Sequence, residues 1–166
     1  QPDDADRKWL ASLASLPGHH LFAQGTGLQA KLAEYPRRRI GRISELRRGE
    51  PILLQYPYPD VNCLLIKLGP VAGAGVGPDN DIVCFTTICT HMGGPLQGTY
   101  KPELQILGAC PMHLTTFDLT RHGMVVSGHA TESLPQIILD TAGDEICAAG
   151  VMGLIYGYAT NLERTL

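Results

Sequence analysis

The pattern Cys89-x-His91, an interval of 18 residues, then Cys110-x-x-His113 constrains this chain more than any other stretch. Each loop offers one thiolate and one imidazole, separated by one residue in Cys89-Thr90-His91-Met92-Gly93-Gly94 and by two in Cys110-Pro111-Met112-His113. Those spacings let both side chains of a loop point at one metal centre, so a site of two cysteines and two histidines, split over two loops, is expected. A structural zinc ion accepts that donor set, and so does an iron–sulfur cluster. Zinc fingers pair Cys with Cys and His with His, whereas each loop here mixes the two, which favours the cluster.

With their flanking residues, the loops resemble those of the Rieske iron–sulfur family, whose usual pattern is Cys-x-His-x-Gly-Cys and Cys-Pro-Cys-His. The match covers Cys89, His91, Gly93, Cys110, Pro111 and His113. The resemblance implies a 2Fe-2S cluster with Cys89 and Cys110 on one iron and His91 and His113 on the other. Replacing two thiolates by neutral imidazoles leaves the oxidised cluster uncharged and easier to reduce. Rieske centres accordingly reach roughly −150 to +300 mV, against about −400 mV for all-cysteine plant-type ferredoxins. The second nitrogen of each imidazole can also hold or release a proton, coupling it to the electron.

The departures from the pattern carry expectations of their own. Where the family has a second cysteine in each loop, joined as a disulfide, this chain has Gly94 and Met112. Such a bridge is worth about 3 kcal/mol in the chain-entropy model, so the loops must be held another way. A partner protein covering them, with Met112 supplying adaptable apolar packing, is the expectation. Respiratory Rieske proteins carry a Ser two residues and a Tyr four residues after the second histidine, both donating to cluster sulfurs; here those places hold Thr115 and Phe117. One hydroxyl is kept and one is lost, which implies a lower potential. By the same resemblance Gly128 to Pro135 forms a third loop over the cluster, with His129 beside it or at an interface, not as a ligand.

From Arg39 onward short apolar runs alternate with Gly, Pro, Asn and Asp, the texture of strands and turns. Strands are expected over 51–56, 63–68, 82–87, 104–108, 116–119, 124–126, 136–140, 145–149 and 154–157, with a hairpin turn at Thr141-Ala142-Gly143-Asp144. The fold class is therefore all-β, a Rieske-type antiparallel sandwich or barrel with a small cluster-binding β subdomain at about 87–134 inside a domain spanning 37–166. Trp9, Leu10, Leu13 and Leu16 recur at helical spacing before Pro17-Gly18, and 26–35 forms a weaker second helix, giving a short helical arm over 1–36. Arg37-Arg38-Arg39-Ile40-Gly41-Arg42 is followed by Glu45, Arg47 and Arg48 instead of an apolar core, so it reads as a solvated basic face and not an export signal. Gly69 to Asp81 is a connecting loop lacking the lysine of a phosphate loop. Cys63, Cys84 and Cys147 sit in apolar runs, as buried hydrophobes or, in an oxidising compartment, with two of them joined as a disulfide, and His19, His20 and His122 fall in exposed turns.

A net charge of −3 argues against nucleic-acid binding, and no apolar run approaches the ~20 residues needed to span a membrane. Residues 77–83, 89–93, 128–135 and 153–157 narrow the resemblance to the small subunit of arsenite oxidase, with iodate reductase small subunits in the same wider group. That resemblance implies a periplasmic complex in which a large molybdopterin subunit does the chemistry. The Rieske subunit then relays electrons between it and a soluble carrier such as cytochrome c, in either direction. Three other readings stand beside it: a respiratory quinol-oxidising Rieske subunit, which would need a membrane anchor, the Rieske ferredoxin of a ring-hydroxylating oxygenase, and a structural zinc module.

Overall fold

The computed structural model describes residues 35–161, and the expected helical arm lies outside them but for its last residues. Among the described residues there are ten strands and one 3-10 turn, Ile43–Glu45. The strands are β1 Arg38–Arg42, β2 Ile52–Gln55, β3 Asn62–Lys67, β4 Ile82–Thr86, β5 Tyr100–Lys101, β6 Ile106–Leu107, β7 Thr116–Asp118, β8 Met124–Ser127, β9 Gln136–Ala142 and β10 Glu145–Met152. They form a six-stranded sheet in the order β1-β10-β9-β4-β3-β2 and a four-stranded sheet in the order β5-β6-β7-β8. All strand pairings are antiparallel. The small sheet is a single excursion between β4 and β9.

β3 and β4 are apolar on both faces because each face meets a different core. Cys63 and Leu65, with Ile82 and Cys84, point into one core with Tyr56, Ile137 and Ile146. Leu64 and Ile66, with Val83 and Phe85, point into a second with Leu107, Phe117, Leu134, Cys89 and Cys110. A pleat of period two thus makes these two strands a shared wall. The wall positions the site, since β4 runs directly into the first ligand loop.

The large sheet nearly closes on itself, and its edges β1 and β2 are bridged by a side chain. Arg38 donates from Nη1 to the Gln55 carbonyl at 3.1 Å and from Nη2 to the Pro57 carbonyl at 3.2 Å. Its guanidinium lies 5.8 Å from the ring centre of the buried Tyr56. Burial pushes the Tyr56 hydroxyl up to about 12, so this end of the core stays uncharged. The run of arginines expected to form a solvated face is therefore an edge strand with Arg38 closing the seam.

Other expectations shift for local reasons. The strand at 104–108 shrinks to Ile106–Leu107 because a turn occupies its start: Leu104 N–H bonds the Lys101 carbonyl, and Gln105 is left-handed at φ 52° with its side-chain amide on the Pro102 carbonyl. No strand forms at 154–157. There Asn161 accepts from Ile155 N–H at 2.8 Å and donates to the Gly153 carbonyl, taking the place of a neighbouring strand, while Ile155 fills the first core. Cys63 and Cys84 are buried as expected, Cys147 only partly. His122 is exposed but not idle, its Nδ1 lying 2.9 Å from Gln136 Oε1.

Arg38→Ala should lower the unfolding free energy by about 2 kcal/mol, having removed two hydrogen bonds and a cation over an aromatic face. Arg37→Ala, which removes an exposed pair with Asp140, should cost under about 0.5 kcal/mol. Equal losses in urea titrations would show that Arg38 does not close the seam.

Candidate metal centre

Both ligand loops are built on one backbone turn. In the first, Cys89 N–H donates to the Gly94 carbonyl at 2.8 Å and Gly93 N–H returns to the Cys89 carbonyl at 2.9 Å. In the second, Cys110 N–H donates to the Thr115 carbonyl and Leu114 N–H to the Cys110 carbonyl, each at 2.8 Å. The residue four places after each cysteine is left-handed, Gly93 at φ 70° and Leu114 at φ 61°. Leu114 holds a conformation that costs a non-glycine residue roughly 1–2 kcal/mol. The match was hidden because a glycine and a leucine fill the same place.

The turns bring like donors together. Cys89 and Cys110 are each 1% exposed, on the edge of the second core, and their thiols are neighbours. Burial pushes the Cys89 thiol up, against the opposing influence of the His91 backbone and the Thr115 side chain beside it. On the outer side the His91 and His113 rings meet edge to face, their centroids 4.7 Å apart. His91 Nδ1 is buried and has no hydrogen-bond partner, an uncommon state for a buried polar atom and one that a metal ligand would explain. Among the described residues no three His, Cys, Asp or Glu side chains converge as ligands of one ion. Two thiols on one side and two imidazoles on the other fit a pair of metal atoms better than a tetrahedral zinc, which needs its donors about 2.0–2.3 Å from a single point.

The place of the absent disulfide is filled by packing. A Cβ on Gly94 would stand 2.6 Å from Cys110 Sγ and 2.9 Å from Met112 Sδ, so the thioether lies directly over the glycine backbone. Among the described residues no cysteine is bridged. Met112 is 50% exposed, so the loops are joined by a contact within the chain before any partner is considered. Thr115 and Phe117 are fully buried, Thr115 beside Cys89 and Phe117 packed in the core that contains both thiols. His129 is exposed beside the imidazoles, its N–H donating to Thr115 Oγ1 at 3.2 Å. Two supports had no signal in the sequence: Thr90 Oγ1 donating to the Glu132 carbonyl at 2.8 Å, and Tyr156, whose ring lies 2.7 Å from where a Gly93 Cβ would stand.

Comparison with known proteins agrees with this geometry. A model of the Rieske 2Fe-2S domain matches residues 39–138. The chain is 62% identical over 152 residues to iodate reductase subunit IdrB of Denitromonas iodatirespirans, covering 92% of this chain and 80% of that one. It is 64% identical over 149 residues to the same subunit of Pseudomonas sp. strain SCT, covering 90% and 75%. Among solved structures, the soluble domain of Rieske protein II (soxF) from Sulfolobus acidocaldarius superposes with a TM-score of 0.67 at 26% identity, covering 78% of this chain and 84% of that one.

Gly94→Ala should strip most of the iron, since the new methyl has to displace a cysteine sulfur held in the core, while far-UV circular dichroism stays unchanged. Full iron loading in that variant would mean the Gly94 contact does not hold the loops.

Proposed function

Because the chain belongs to the Rieske 2Fe-2S family, at 62–64% identity to two iodate reductase subunits, we propose that it feeds electrons to the larger catalytic subunit of an iodate-reducing complex. The observation that carries this reading is the identity itself, which runs over nine-tenths of the chain. Of the two substrates that the sequence resemblance left open, arsenite and iodate, these relatives favour iodate, and electrons then flow inward to the catalytic subunit. That subunit holds the molybdenum–pterin centre, and a soluble one-electron carrier such as cytochrome c supplies the electrons, in the periplasm. Among the described residues no helix is long and apolar enough to cross a membrane.

Cys89 and Cys110 would hold one iron and His91 and His113 the other. When bound, the cluster accepts and releases one electron at a time. The residues around it set how readily. The buried thiols exclude water from the sulfur side, while the paired imidazoles present the outer edge to a partner. The Thr115 hydroxyl stands beside Cys89, and a bond from it to that sulfur would stabilise added negative charge and raise the potential. At Phe117 the ring reaches the same core without a hydroxyl, so that second donation is missing and the potential falls below the respiratory range.

Two measurements test this. In the complex with its catalytic subunit, reduced by dithionite and then freed of it, iodate should reoxidise the chain's rhombic electron paramagnetic resonance signal. If arsenite instead reduces the oxidised complex and iodate does nothing, the direction of flow is reversed and the reading is wrong. Separately, Phe117→Tyr should raise the midpoint potential by tens of millivolts, and an unchanged or lower value would remove hydrogen-bond tuning at that position.

A further inference from the structure

A third imidazole stands against the ligand pair. The ring of His129 is stacked near His91, with centroids 5.7 Å apart and planes inclined by 30°, and meets His113 edge-on at 6.4 Å and 82°. Both distances fall within the range where aromatic rings attract one another. Its placement is fixed by backbone anchors to both ligand loops. The N–H groups of His129 and Ala130 donate to Thr115 Oγ1 at 3.2 and 3.4 Å, and the Glu132 carbonyl accepts from Thr90 Oγ1 at 2.8 Å. Gly128, at φ 98°, brings the chain so close to the second loop that a Cβ would stand 2.3 Å from the Thr115 Cα.

The His91 ring needs such a support. Its Nδ1 faces inward without a protein hydrogen bond, and its loop lacks a covalent tie to the other. A metal bonded at that nitrogen fixes its position but not the tilt of the ring about the bond, which a neighbouring ring can set. Of its two neighbouring imidazoles, His113 meets it by an edge and His129 lies closer to parallel.

We propose that His129 is a positioning residue for the electron-transfer edge: it holds the plane of the His91 imidazole by stacking, and its exposed ring forms part of the surface that a one-electron protein partner meets. This rests on the Rieske reading of the four ligands but not on the identity of the substrate. Thr115, in the second ligand loop, is where the third loop is anchored, its hydroxyl accepting from the His129 and Ala130 backbone. Stacking needs a flat ring and no titrating nitrogen, so phenylalanine should serve and alanine should not.

The test uses the iron-loaded full-length chain as wild type, His129→Ala and His129→Phe, at matched iron content. The reduced alanine variant should show broadened g-features from a range of His91 orientations. It should also pass its electron to oxidised cytochrome c several-fold more slowly. Oxidation by hexacyanoferrate, a small ion with no need of the protein surface, should change far less. The phenylalanine variant should recover the wild-type line width and most of the rate. An alanine variant with wild-type line width and rate would overturn the proposal, as would a phenylalanine variant that behaves like alanine. A loss of the Rieske signal in the wild-type protein would instead remove the reading beneath it.

Discussion

Two thiols facing each other at the margin of an apolar core set the terms for the rest of the molecule. A buried polar pair is tolerated only where the backbone around it is satisfied, and here the two loop backbones close on themselves around the thiols. Phe117, Leu107 and Leu134 seal the inner side. The histidines, which tolerate water, take the outside. The division of the four candidate ligands into a dry pair and a wetter pair thus follows from solvation as much as from coordination chemistry.

The loops also illustrate how a covalent tie can be replaced. A disulfide fixes two loops by one strong constraint. In its place this chain uses Met112 lying on Gly94, Thr90 reaching the third loop, Thr115 accepting from it, and Tyr156 seated on Gly93. Each is weak, and together they make the third loop part of the clamp. Met112 is half exposed, so the same residue that joins the loops within the chain also offers an apolar surface to a partner.

How much of this was legible in the sequence depended on where the information resides. Ligand identity sits in side-chain chemistry, so the Cys-x-His and Cys-x-x-His spacings were enough to nominate all four donors. β3 and β4 were legible because burial on both faces demands unbroken apolar runs. β1 was not, since an edge strand can be mostly arginine when one of them bonds across a seam, and Leu154 to Gly157 misled because an asparagine side chain can imitate a neighbouring strand. The repeated turn stayed hidden because backbone conformation is shared by residues as unlike as Gly93 and Leu114. The choice between arsenite and iodate had no physical signal in this chain at all, the substrate being handled elsewhere, and only close relatives favour one.

The insertion of the small sheet has a consequence for how the molecule assembles. β4 and β9 pair through only two residue pairs, Cys84 with Ile137 and Phe85 with Gln136, yet that short ladder encloses the entire metal-binding excursion. Closing so long a loop costs chain entropy before any contact repays it. The local hairpins β3–β4 and β9–β10 can form early, whereas their union waits for the excursion between them to collapse. The order in which hairpins form and the large sheet is completed is thereby written into the topology.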